Sequence, residues 1–195
     1  MEFKVYEQLW FPTPVWECPV TGINNQEIKD YCLKVRKEKP GTVISNRGGW
    51  HSNELITPLP EALDQLFNDM TVFVNDVCYR YTGTELKFGN FWININGKHD
   101  YNLLHDHQKS VLSGTYYVDV PDENMGNLVL TRGDNAEYFL KDIKEATMAN
   151  ALVCTKQART STFYLFPSWI KHYVERNESD KERISIAFNF VPLNA

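Results

Sequence analysis

What this chain lacks narrows its class before any motif is read. It has no CxxC pair. Cys18, Cys32, Cys78 and Cys154 stand far apart, so neither a zinc knuckle nor a disulfide framework is expected, and the four thiols read as reduced and mostly buried. No apolar run approaches the roughly 18–20 residues that span a bilayer, and the opening MEFKVYEQLW has no apolar signal core, which leads us to expect a cytoplasmic protein with no membrane insertion. Positive charge is not in surplus either. A net charge of −5 and a pI near 5.5 argue against nucleic acid held by bulk phosphate neutralisation, which needs clustered Lys and Arg, and leave open only a local cationic groove. No repeat, low-complexity tract or flexible linker interrupts it. A length of 195 residues with 43% hydrophobic content fits one domain over residues 1–195.

The pattern that is present changes along the chain. Residues 3–20, FKVYEQLWFPTPVWECPV, are aromatic and β-rich, but Pro12 and Pro14 confine the stretch to an edge strand or an arm. Two helical patterns follow. Ile28, Tyr31, Cys32 and Val35 repeat at helical spacing behind the capping candidates Asn24 and Asn25. Pro60 then opens a stripe of Leu63, Leu66, Phe67, Met70, Phe73, Val74, Val77 and Cys78 that stops at Gly83. Between the two lies SNRGGWHSNEL, residues 45–55, where Gly48 and Gly49 mark a tight excursion carrying Arg47, Trp50 and His51. It reads either as a structured turn with Trp50 plugging the core edge or as a lid over a pocket. From Leu86 onward short β-type runs crowd together without intervening helices: LKFGNFWININ, LLHDHQ, VLSGTYYVDV, NLVL, ALVCT, STFYLF and ERISIAFNFV. That texture predicts a mainly β sandwich or small barrel with flanking helices.

Histidine is scarce, at five residues, and three of the five suggest a metal site. His105 and His107 in LLHDHQ project to one side if the backbone there is extended, and His172 in FPSWIKHYV arrives from a distant strand. Neutral imidazole nitrogens suit Fe, Zn, Cu or Ni, whereas Mg and Ca require oxygen. Two nearby histidines on a strand are weak evidence by themselves, so the third partner matters. On the last strand, alternation puts Arg183, Ser185, Ala187 and Asn189 on one face and Ile184, Ile186, Phe188 and Phe190 on the other. A guanidinium and a hydroxyl two residues apart form a fork for a carboxylate, with each charge-assisted contact contributing roughly 1.5–3 kcal/mol. The competing reading is a surface Arg183 paired with Glu182 or Asp180. Asn94 and Asn96, alternating with Ile93 and Ile95, would add polar groups to the pocket wall or form a side-chain ladder.

Four blocks in order between about residues 45 and 192, namely SNRGGWHS, HDHQKSVLSGTYYVDVP, FPSWIKHYV and ERISIAFNF, together resemble a small family of 2-oxoglutarate- and Fe(II)-dependent oxygenases from bacteria and phages. The resemblance implies a double-stranded β-helix, or jelly-roll barrel. It implies Fe(II) and the cosubstrate 2-oxoglutarate, with O2 as oxidant. The activity implied is hydroxylation or a related oxidation of a primary substrate, with decarboxylation of 2-oxoglutarate to succinate. By position, His105 and His172 match the two histidine ligands, Arg183 and Ser185 match the RxS that holds the distal cosubstrate carboxylate, and Tyr117 matches a supporting tyrosine. Arg47, Trp50 and His51 would then sit on the substrate side, with Gly48 and Gly49 closing it.

One departure separates this chain from the usual set of two histidines and one carboxylate. His107 stands at the carboxylate's place, unless the loop turns to offer Asp106 instead. Two rivals share the barrel. A cupin-type metal protein would place a Glu shortly after the HxH, yet residues 108–112 contain none, and it favours Gly at the position of Trp169. A non-catalytic binding module would have no use for a carboxylate fork facing a metal site. The oligomeric state is open, a homo-oligomer included, and nothing in the sequence separates a small metabolite from a peptide side chain or a nucleobase as primary substrate.

Overall fold

The computed structural model describes residues 4–6, 8, 10–53, 58–140 and 142–194. Residues 3, 7 and 9 of the aromatic opening, and Glu54 and Leu55 at the end of the glycine-pair segment, lie outside the described residues.

The opening resolves into one short strand, β1 (Trp16–Pro19), at the edge of a sheet, where the prolines before it do no harm to a ladder. The first helical pattern becomes α1 (Asn25–Glu38). Asn24 caps it by accepting from the Glu27 N–H at 3.3 Å, and Ile28, Cys32 and Val35 form its buried stripe. The glycine-pair segment is a hairpin of two-residue strands, β2 (Asn46–Arg47) and β3 (Trp50–His51). The second pattern is α2 (Glu61–Phe73), which passes through a π turn, Val74–Cys78, into one last helical turn ended by left-handed Gly83. The wider turn keeps both Val74 and Cys78 buried. It also lets the Asn75 side chain bridge to the Leu86 backbone, donating to its carbonyl and accepting from its N–H at 2.8 Å each.

The remaining strands are β4 (Leu86–Asn96), β5 (Tyr101–His105), β6 (Leu112–Asp119), β7 (Leu128–Thr131), β8 (Val153–Lys156), β9 (Thr162–Pro167), β10 (His172–Val174) and β11 (Arg183–Pro192). They form two antiparallel sheets, one in the order β1-β9-β6-β11-β4-β3 and one in the order β2-β5-β10-β7-β8. This is the expected jelly roll. The helices cover the outer face of the larger sheet, where Ile184, Ile186, Phe188 and Phe190 of β11 join Leu63, Leu66 and Met70 of α2 in the main core. The opposite face of that sheet looks toward the smaller sheet, and there the polar alternates of β4 and β11 collect.

The glycine-pair hairpin ties the two sheets together. β2 pairs with β5 of the smaller sheet and β3 with β4 of the larger one. Gly48 and Gly49 both have positive φ. A Cβ on Gly49 would lie 2.9 Å from the Ile95 carbonyl oxygen, so the turn accepts no side chain there. Between the turn and lid readings, the geometry is that of a bonded turn. Trp50 packs against the core and donates from Nε1 to the Lys39 carbonyl at 3.3 Å. The cysteines are unpaired, and burial pushes the Cys32 and Cys78 thiols up to about 12.

Candidate functional site

The histidine pair is not carried on one extended strand, as its spacing suggested. β5 ends at His105, and His107 lies on the following turn, where its N–H donates to the Ser168 carbonyl at 3.0 Å and its own carbonyl accepts from the Ser110 N–H at 3.1 Å. His105 faces inward because of an irregularity in β5. His172 pairs with His105, but Val174, two residues on, pairs with Asn102, three residues back. The extra residue at Leu103–Leu104 is a bulge that brings Asn102 and His105 to the same side. His172 opens β10 beside them.

The outcome is a convergent cluster. One ligand atom from each of His105, His107 and His172 lies within 4.8 Å of the others, and no carboxylate joins them among the described residues. His107 therefore completes the trio and Asp106 does not. Two of the rings have fixed tautomers: His105 Nδ1 sits 2.7 Å from the Leu103 carbonyl and His172 Nδ1 3.0 Å from that of Ile170. A proton on Nδ1 leaves each Nε2 lone pair free for a metal. Burial pulls His172 down to about 3, helped by the neighbouring His105 and opposed by the Ile170 carbonyl. Burial, and then His105, brings His107 to about 4. His105 is lowered by burial too, against the Leu103 carbonyl and Asp106. Neutral rings are the ligating form, and three neutral imidazoles fit a divalent transition ion such as Fe(II) and not a hard oxygen-seeking one.

β11 supplies the cationic side. Arg183 is 1% exposed, which removes the surface reading; Glu182 pairs with Arg36 and Asp180 with Lys98 instead. Its Nη1 donates to the carbonyls of Met125 (2.6 Å) and Gly126 (2.7 Å), and its Nη2 to Asn96 Oδ1 (3.1 Å). Gly126 must be glycine here, since a Cβ would stand 2.9 Å from Nη1 and 2.2 Å from the Glu175 carbonyl oxygen. The Arg183 Nε–H is buried with no partner, and one Nη2 proton remains beyond the bond to Asn96. Among the described residues its hydrogen-bond acceptors are all neutral. Burial lowers the Arg183 pKa, opposed by Tyr117 and Asp100.

One narrow cavity, of about 50 Å³, touches all of these groups. Its walls include the three histidines, Arg183, Ser185 and Tyr117. The register explains the convergence, since Arg183, Ser185 and Ala187 pair with Asn96, Asn94 and Trp92 across β4 and β11. Asn94 lines the cavity with a buried Oδ1 that has no partner, while Asn96 is committed to Arg183. The larger groove of the molecule, about 600 Å³ between β1, α1 and α2, holds none of this chemistry.

The hairpin residues stand apart. Arg47 is exposed, with Nη1 turned back onto the carbonyls of Ile44 and Asn46, and neither it nor Trp50 nor His51 is part of the cavity wall. His51 stacks on the cavity-lining Trp92 at 5.8 Å and 15°. Sequence reasoning missed Trp92, Ser45 and Asn102, all cavity-lining. Trp92 was within reach, because it shares the alternation of Asn94 and Asn96. Asn102 was hidden by the bulge.

No curated protein matches the sequence. Similar solved structures include a prolyl-4-hydroxylase from Pseudomonas putida, with a TM-score of 0.67 at 14% identity over 91% of this chain and 92% of that one. A viral collagen prolyl hydroxylase from Paramecium bursaria Chlorella virus-1, solved as a 2-oxoglutarate complex, gives 0.61 at 11% identity over 90% and 94%. HygX from Streptomyces hygroscopicus, with nickel and 2-oxoglutarate bound, gives 0.57 at 12% over 93% and 84%. At such identities these likenesses show the fold. The family model described as "Putative 2OG-Fe(II) oxygenase" matches residues 90–189, from β4 to the end of the polar face of β11. The protein belongs to the 2OG-Fe(II) oxygenase family, enzymes that depend on Fe(II) and 2-oxoglutarate.

Proposed function

We propose that His105, His107 and His172 hold the Fe(II) and that Arg183, with Ser185 and Tyr117, takes the distal carboxylate of 2-oxoglutarate, in an oxygenase that acts on a separate primary substrate. The observation that carries this reading is the state of Arg183: a buried guanidinium with neutral acceptors and spare donors, in the same cavity as three neutral imidazoles. A buried cation without a counter-ion is costly, and a carboxylate relieves that cost. A ligand that is anionic at one end and chelating at the other fits both halves of the cavity.

The chain's own contribution is positioning. Met125, Gly126 and Asn96 fix the guanidinium from behind, so its free N–H groups are aimed before the cosubstrate arrives. The Tyr117 ring lies under the guanidinium at 6.0 Å. The Leu103 and Ile170 carbonyls hold two ligand rings in the metal-binding tautomer, and the unpartnered Asn94 amide offers a further contact to the cosubstrate. When bound, iron with 2-oxoglutarate and O2 supplies the oxidising power, the cosubstrate leaving as succinate and CO2. We assign the β2–β3 hairpin, with Arg47, Trp50 and His51, to the primary-substrate side, since His51 stacks on the cavity-lining Trp92. Among the described residues no helix is long and apolar enough to cross a membrane.

Arg183→Gln tests the assignment directly. Calorimetry on the Ni(II)-loaded variant should show 2-oxoglutarate affinity reduced at least tenfold, the loss of one charge-assisted contact of about 1.5–3 kcal/mol, with the Ni(II) content unchanged. Unaltered cosubstrate affinity would reject the role given to Arg183.

A further inference from the structure

Two of the three imidazoles are fixed by the same device, and the third is not. His105 and His172 each direct Nδ1 at the carbonyl two residues earlier in the chain, Leu103 at 2.7 Å and Ile170 at 3.0 Å. His107 has its backbone pinned on both sides, to Ser168 and Ser110, but among the described residues its ring nitrogens have no hydrogen-bond partner. It sits on a turn and not a strand, so pleating does not set its direction. What surrounds the ring is aromatic: Trp92 at 5.5 Å with a 56° tilt, and the two other histidines at 5.1 Å each.

Trp92 is well placed to act on it. It rises from β4 on the face shared with Asn94 and Asn96, it lines the cavity, and Ala187 stands across the ladder from it. Its indole is itself stacked on His51, whose Nδ1 lies 2.6 Å from the Ser52 carbonyl. That contact fixes the His51 ring, and Ser52 is in turn bonded to Ile93 of β4, its N–H donating to the Ile93 carbonyl at 2.9 Å and its hydroxyl accepting from the Ile93 N–H at 3.0 Å. The indole is therefore held in place by the sheet that carries it and by the hairpin strand beside it.

We propose that Trp92 is a positioning residue of the metal centre: its indole, backed by His51, orients the His107 ring in place of the carbonyl that His107 lacks. The proposal rests on the reading of His105, His107 and His172 as ligands. Partners beyond the direct ligands commonly contribute about 10–100-fold to metal affinity. An indole that only filled the cavity would affect folding and be indifferent to whether His107 is present.

The test uses Co(II), whose visible absorption reports its ligands, titrated into the full chain. Trp92→Leu, which keeps apolar bulk but removes the ring face, should bind Co(II) about tenfold more weakly, with an altered visible band. Trp92→Phe should restore both. In a His107→Ala background, Trp92→Leu should cause no further loss, because the side chain it positions is gone. An unchanged Trp92→Leu titration, or an equal further loss without His107, overturns the proposal. If His105→Ala and His172→Ala also leave Co(II) affinity intact, the ligand reading itself fails. If they abolish binding while Trp92→Leu does not weaken it, only the role of Trp92 fails. Should Trp92→Leu not fold, NMR of the wild-type Zn(II) form decides: cross-relaxation between the Trp92 indole and the His107 ring is expected, and its absence overturns the proposal.

Discussion

At the scale of single residues, the site depends on which histidine nitrogens are free and which are already committed. His107 is the informative position, since it stands where related chemistry would place a carboxylate and it has the least constrained ring. Aspartate there would add one negative charge next to the bound cation, strengthening attraction in a poorly hydrated cavity. His107→Asp should therefore retain Fe(II) through anaerobic dialysis at least as well as the wild type, measured as metal content per chain. Metal loss would mean that imidazole length matters more here than ligand charge. The sequence showed His105, His107 and His172 as a group because their residue type is rare and their chemistry narrow. Trp92 was less plain: it shares the alternation of Asn94 and Asn96, yet a tryptophan in a β run reads first as core.

At the scale of elements, the bulge in β5 decides where His105 points. Residues alternate sides along a strand, so Asn102 and His105, three apart, share a side only because one extra residue sits between them. Leu103 and Leu104 are both exposed, 39% and 53%, so removing one of them sacrifices little burial. Deleting Leu104 should return β5 to regular pairing, with Asn102 and His105 two apart and still on one side. We expect the variant to keep its far-ultraviolet circular dichroism and its Co(II) binding; lost affinity in a folded variant would mean that the facing of His105 is not set by strand alternation and the bulge alone. This feature could not be read from LLHDHQ, because a bulge is defined by the partner strand. The alternation on β11 was fully legible: its apolar half packs beneath the helices, and its Arg183, Ser185 and Ala187 line the cavity. The α1 and α2 patterns were legible as well, down to the Asn24 cap and the Gly83 stop. The π turn that follows α2 was not, since the apolar stripe continues through it without a break.

At the scale of the whole molecule, the buried histidines make folding depend on pH. His172 is held at about 3 in the folded state, against an ordinary value near 6.5. Between those values the unfolded chain binds a proton that the folded ring refuses, so stability is full above about pH 6.5 and declines as pH falls. The exposed carboxylates with lowered values, Asp122, Asp134 and Asp180, act from their ordinary value of 3.8 downward and leave the interval above it to histidine. Metal-free protein should therefore lose thermal stability progressively between about pH 6.5 and 4.5, and His172→Phe should show a shallower decline. Identical slopes would show that His172 is not protected from protonation by the fold.

Arg183 has a consequence of another kind. A folded protein whose buried guanidinium has, among the described residues, only neutral hydrogen-bond acceptors would be stabilised by mass action by any dicarboxylate that entered to pair with it. Both the oxoacid consumed and the diacid released carry the carboxylate that would do so, one as fuel and the other as a competitor. The balance of the two in solution would then govern how long the chain survives as well as how fast it works.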